Sequence, residues 1–166
     1  IRKFHDQATC LVLSSPRYLP MPSRHLYRRT VLGDDKHARG METRRSVLGE
    51  AHVDRTEANK TAFDEDYQKL ITESAWGSVW TREGLSKRER SLLVVAFMTA
   101  LGHHDELAMH IRATANTGAS LDDIKEVLLM AAIYAGVPAA NAAIAVAKRT
   151  YTEMGLDLGE AGKLSE

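Results

Sequence analysis

From Lys36 to Met154 the apolar residues recur every three or four positions, with short polar and glycine-containing breaks between the runs. That is the period of helices burying one face. The spacing predicts a short helix over 37–48, stopped by Gly49, and a longer one over 56–75, where Ala62, Phe63, Tyr67, Leu70 and Ile71 recur. Trp76-Gly77-Ser78-Val79-Trp80 is expected to end that helix, and Arg82-Glu83-Gly84 to form a loop. Ser86 followed by Glu89 reads as a capping box, two side chains satisfying the free amides of a helix start. The helix it opens, 87–101, is apolar along Leu92 to Met98, so most of its circumference must be covered. Gly102 breaks it, and a helix over 105–117 follows, closed by Gly118 in the position favoured for a left-handed cap. Ser120 with Asp123 repeats the start signal for 121–134, which ends at Gly136. Pro138 fits the first turn of a last, alanine-rich helix, where no amide is needed and small residues let axes approach closely. No strand-length alternation competes, so the fold class is all-α, a bundle of about six helices.

Residues 1–35 have a different character: Pro16, Pro20, Pro22 and no sustained period. They read as a poorly ordered N-terminal extension, and Arg17, Arg24, Arg28 and Arg29 as a solvated tail in preference to an arm on a nucleic acid or a neighbouring subunit. The helical domain is expected over 36–155, with a frayed tail over 156–166.

Lys plus Arg equals Asp plus Glu at 22 each, so no net field draws the chain to nucleic acid or to an anionic membrane. Cys10 is the one cysteine, which excludes both an internal disulfide and a dithiol redox pair. No apolar run approaches the length of a membrane span, and Cys10–Leu13 is too short for a secretory signal, so a cytoplasmic protein is expected.

Chemistry concentrates at His103, His104, Glu106 and His110. Glu106 and His110 lie four apart on one helical face, and His103 sits at the turn before them. Spacing alone leaves three readings open. They are a solvated ion-paired face, a metal site of two histidines and a carboxylate, and an acid–base pair in which a carboxylate holds and tunes an imidazole. Against the metal, the preceding helix offers Arg90, a cation, beside Glu89.

Several segments resemble the carboxymuconolactone decarboxylase family. They are Gly40-Met41-Glu42-Thr43-Arg44-Arg45-Ser46-Val47-Leu48-Gly49, Ala51-His52-Val53-Asp54-Arg55, Ala75-Trp76-Gly77-Ser78-Val79-Trp80 and Ser86-Lys87-Arg88-Glu89-Arg90-Ser91-Leu92. Glu106-Leu107-Ala108-Met109-His110-Ile111-Arg112-Ala113 and Tyr134-Ala135-Gly136-Val137-Pro138-Ala139-Ala140-Asn141-Ala142-Ala143 continue it in the family's order, so the likeness spans about Lys36 to Met154. The wider superfamily, with the AhpD-like helical fold, has a redox branch carrying Cys-x-x-Cys-x-x-x-His. Here His103-x-x-Glu106-x-x-x-His110 stands in those places, so thiol-based peroxide reduction should be absent.

The resemblance implies cofactor-free, metal-free decarboxylation of 4-carboxymuconolactone to the enol-lactone of 3-oxoadipate in protocatechuate catabolism. It also implies a ring-like homo-oligomer, commonly a hexamer. On this likeness His110 is the general acid, Glu106 orients or charges it, and His103 donates to the developing oxyanion. Arg90, Arg44, Arg45 and Arg82 are candidate clamps for the two substrate carboxylates, with Arg90 foremost. Trp80 and Tyr134, with Trp76, are candidate pocket walls, although large aromatics beside glycine also serve core or interface packing. His52 and His104 stay unassigned. The alternatives are a thiol-free paralogue acting on another lactone or a β-keto acid, and a non-catalytic helical oligomer.

Overall fold

The two capping boxes form as the sequence requires. Ser86 Oγ accepts from Glu89 N at 3.2 Å while Glu89 Oε2 accepts from Ser86 N at 2.7 Å. Ser120 Oγ and Asp123 Oδ2 exchange the equivalent bonds at 3.1 and 2.9 Å. Asp123 Oδ2 also accepts from Arg88 Nε at 3.0 Å, which ties the starts of two helices together. The computed structural model describes residues 33–159; expectations that fall on 1–32 and 160–166 lie outside them. Among the described residues there are seven α-helices, one π-helix and no strand. In chain order they are α1 (Gly33–Leu48), α2 (Glu50–Ala58), α3 (Glu65–Ile71), the π-helix Thr72–Trp80, α4 (Lys87–Leu101), α5 (His104–Thr117), α6 (Leu121–Tyr134) and α7 (Val137–Glu153). No helix among them is long and apolar enough to cross a membrane.

α4 to α7 build the main core from Val95, Leu107, Ile111, Ile124, Leu128, Ala143, Val146, Ala147 and Tyr151. Each fully buried Leu or Ile there contributes roughly 1.5–3 kcal/mol. A second, smaller cluster joins Val47 of α1, Trp76 of the π-helix and Ala113 of α5. α5 belongs to both, so it is the element through which α1 meets the bundle. Asn116 of α5 secures that contact by donating Nδ2–H to the Val47 carbonyl at 3.0 Å.

The structure departs from the expected helix over 56–75. Asn59 caps α2, and Asp64 Oδ1 accepts from both Thr61 N (2.8 Å) and Thr61 Oγ1 (2.7 Å). Such a local side-chain turn competes with helix and breaks the run. Phe63, Tyr67 and Leu70, whose spacing suggested a buried stripe, are exposed. Nor does Trp76-Gly77 end the next helix; the backbone widens into a π-helix and continues to Trp80.

The reason lies in α1. A Cβ on Gly77 would stand 2.3 Å from the Lys36 carbonyl oxygen, and a Cβ on Gly40 would stand 2.3 Å from the Thr72 carbonyl oxygen. Backbone touches backbone at this crossing, and only glycine on both sides permits it.

The coverage expected around α4 is partial within one chain. Val95 is buried, yet Leu93 and Phe97 remain exposed along a groove shared with Met130 and Tyr134, and Leu101 and Ile133 are exposed as well.

Gly77→Ala is expected to destabilise the protein by about 1–3 kcal/mol in urea unfolding, although alanine is the better helix former by about 1 kcal/mol. Gly84→Ala, where a Cβ meets open space, should stay within about 0.5 kcal/mol of the parent. Equal stability of the Gly77 variant would refute the tight crossing.

Candidate active site

His103 caps the start of α5, and its carbonyl accepts from Leu107 N at 2.9 Å. The His103 and Glu106 side chains are exposed, and no hydrogen bond joins either to His110. His110 is different: it is 8% exposed, and its Nδ1 is buried without a partner. Burial pushes the imidazole pKa down to about 4, against the pull of the Glu106 carboxylate, with a smaller downward push from His52. His110 is therefore neutral at pH 7 in the free chain.

His52, unassigned on sequence grounds, is the histidine that approaches it. It sits half-buried on α2, in electrostatic reach of His110. Its own pKa is lowered, first by burial and then by Arg55, Arg44 and Arg112. Nothing in the local pattern marks His52, because the encounter is between α2 and α5.

The six residues expected to contact substrate occupy separate surroundings. Arg44 is 4% exposed, with long hydrogen bonds from Nη1 to Glu57 Oε1 (3.4 Å) and from Nη2 to Gln68 Oε1 (3.3 Å). Its Nε is buried with no acceptor, and burial lowers its pKa despite Glu57. Arg45 is held by Asp54 at 2.6 Å and by Glu50, so two carboxylates already satisfy it. Arg90 Nη2 donates to the carbonyl of exposed Arg82 at 2.8 Å, and its Nε lacks a partner. Trp80 packs against Trp76 with ring centroids 5.0 Å apart. Tyr134 is 82% exposed and lines an apolar groove with Phe97 and Met130.

Two of the buried polar atoms without partners, Arg44 Nε and His110 Nδ1, thus belong to residues linked electrostatically through His52, which feels Arg44 and in turn acts on His110. Leaving a buried polar atom unpaired costs roughly 1–3 kcal/mol, and native proteins keep few of them. A cleft of about 410 Å³ opens between the α1–α2 turn and α5, lined by Leu48, Glu50, His52, Arg55, Met109 and Arg112 among others. Among the described residues no group of three or more His, Cys, Asp or Glu side chains is arranged to hold a metal ion.

The buried imidazole has a consequence for stability. In the unfolded chain it titrates near 6.5 and in the folded chain near about 4. Between these values the unfolded state takes up a proton that the folded state refuses, so stability falls as pH drops from about 6.5 to about 4. The loss is roughly 3 kcal/mol at its upper limit. Denaturation across this window should show a shallower pH slope for His110→Gln than for the parent; parallel slopes would mean that His110 is not a buried neutral group.

Residues 65–149 match the Carboxymuconolactone decarboxylase family. A 4-carboxymuconolactone decarboxylase of Acinetobacter baylyi is 43% identical over 123 residues, which cover 74% of this chain and 92% of that protein. The nitrosuccinic acid decarboxylase npaB of Metarhizium robertsii is 38% identical over 131 residues, covering 76% of this chain and 91% of its own. A 4-carboxymuconolactone decarboxylase of Pseudomonas putida is 47% identical over 38 residues, covering 23% and 79%. With its all-helical architecture and with relatives aligned over nearly their whole length, this chain belongs to the carboxymuconolactone decarboxylase family.

Proposed function

We propose that this protein decarboxylates 4-carboxymuconolactone, giving carbon dioxide and the enol-lactone of 3-oxoadipate, in the β-ketoadipate route of aromatic catabolism. The observation that carries this reading is the 43% identity to a decarboxylase of that name over 92% of its length. The geometry supplies a buried imidazole with an unpartnered Nδ1, a carboxylate one helical turn away, and a second histidine, His52, in the field of three arginines.

The chemistry asks little of a cofactor. The departing carboxylate sits on a ring carbon conjugated through the double bond with the lactone carbonyl. As the C–C bond breaks, its electron pair moves through that double bond into the carbonyl and forms a dienolate. A proton then adds to the carbon next to the carbonyl. The substrate carries its own electron acceptor, so the protein has to hold two carboxylates, stabilise the lactone oxygen and deliver the proton.

His110 is the proposed proton donor. Neutral in the free chain, it gains basicity when a dianion enters its low-dielectric surroundings, the reverse of the effect of burial. Binding therefore brings the proton that the dienolate consumes. Glu106 favours the charged imidazole, and exposed His103 is assigned to the lactone oxygen. Arg44 is the best-placed of the proposed clamps, because it is buried, coupled to His52 and has an idle N–H. Arg45, Arg82, Arg90, Trp80 and Tyr134 stay as candidates of lower rank.

The npaB relationship favours a second substrate class. Nitrosuccinic acid is also a diacid, and its nitro group can take up the electrons that decarboxylation releases. The shared demand is two carboxylates and a built-in acceptor.

The apolar groove between α4 and α6, about 720 Å³ and lined by Leu93, Phe97, Met130 and Tyr134 among others, is assigned to a second copy of this chain. Phe97 and Met130 are each 58% exposed and Ile133 is 77% exposed, more uncovered apolar surface than a lone soluble chain usually carries.

Carbon dioxide release from 4-carboxymuconolactone tests the reaction. His110→Ala and Glu106→Gln should each cut turnover by about tenfold or more without unfolding the protein. Full turnover in either variant removes that residue from the mechanism, and release from nitrosuccinate alone moves the protein to the second substrate class. Sizing in solution tests assembly: the parent should run as an oligomer, and Phe97→Glu combined with Met130→Glu should run smaller. A parent that elutes as a monomer overturns the assignment.

A further inference from the structure

The departing carboxylate has to lie where its electrons can leave. The other carboxylate, on the acetic acid arm of the lactone, stays through the reaction and needs a permanent cationic seat. Of the arginines picked out from the sequence, Arg45 is held by two carboxylates, Arg90 is turned to a carbonyl, buried Arg44 has one idle N–H, and none of them, exposed Arg82 included, lines the cleft at the α1–α2 turn.

The cleft at the α1–α2 turn is built otherwise. Its wall carries Arg55 from α2, Arg112 from α5 and His52, which lies within electrostatic reach of both cations and of buried His110. Arg55 is exposed and forms no ion pair among the described residues. Arg112 makes one, with Glu153 at 2.5 Å, and both partners are half-exposed, so that pair is weak and exchangeable. The acidic lining residue, Glu50, is engaged by Arg45 and cannot cancel Arg55. What remains is a cleft with surplus positive charge and an apolar floor of Leu48 and Met109. That composition suits a small ring bearing a carboxylate.

We infer that this cleft seats the retained carboxylate of the substrate on Arg55 and Arg112, with His52 as the polar wall that turns the ring towards His110. The inference rests on the decarboxylase reading and adds to it the residues that orient the lactone. Arg55 and His52 thereby become specificity-determining positions. Arg44 stands behind His52 as a buried cation, adding to the attraction for an anion.

Muconolactone is a suitable probe, because it keeps the ring and the acetate arm but lacks the departing carboxylate. The parent should bind it in titration calorimetry, more weakly as salt rises. Arg55→Gln and Arg112→Gln should each weaken binding about ten- to hundredfold, as the loss of a hydrogen bond to a charged group does. In turnover of 4-carboxymuconolactone the same variants should raise KM by a similar factor and lower kcat much less. Lys125→Gln, an exposed cation on α6 that lines a different pocket, controls for net charge and should bind like the parent. His52→Gln should keep binding within a few-fold but lower kcat, because the ring then lies less well against His110. Unchanged affinity in both cleft variants, or no binding of muconolactone by the parent, overturns the inference. Arginine-dependent binding without carbon dioxide release from the lactone would leave the cleft assignment standing and sink the proposed reaction instead.

Discussion

The contact on which the site depends is the glycine crossing between α1 and the π-helix. Neither Gly40 nor Gly77 has room for a single added carbon, since each would place it 2.3 Å from a carbonyl oxygen of the opposite element. With α1 drawn in this far, Val47, Trp76 and Ala113 close into a cluster, and the α1–α2 turn arrives beside α5. Remove the crossing and the α1–α2 turn that leads to His52 has no reason to stand beside α5. A packing constraint between two backbones thus sets the position of groups that act through charge.

Those groups are costly to hold. A neutral imidazole and a guanidinium are both buried with one nitrogen unpaired, and burial works against the charge of each. The main core of α4 to α7 is predominantly apolar, and its burial offsets this cost. Polar atoms left idle in a free protein are poised for a ligand that brings acceptors and negative charge, which is the demand a diacid meets. The decarboxylase reading and the cationic cleft therefore share one physical basis: stability is surrendered locally where binding restores it.

The apolar groove along α4 and α6 completes the picture at a larger scale. α4 is so apolar that one chain cannot cover it, and its outward residues lie beside those of α6. One face of α4 serves the bundle, and the other is the surface proposed to meet a second copy.

The helices from α4 onward were legible because their ends are local chemistry. Ser86 with Glu89, Ser120 with Asp123, Gly102 and Gly118 fix where they start and stop within a residue or so, whatever surrounds them. The placement of Glu106 one turn before His110 is likewise a matter of spacing on one helix. The expected helix over 56–75 failed at Asp64, whose bonds to Thr61 were a turn signal passed over in favour of an apolar period that is not buried. The π-helix, and the approach of His52, Arg44 and Arg55 to α5, could not be read at all. They follow from how two glycines let separate elements meet, and no residue's own neighbours in the chain carry that information. Local hydrogen bonding decided the all-helical class and the helix ends in the sequence; only tertiary contact decided which charges share a cleft, because electrostatic partners are chosen by distance in space.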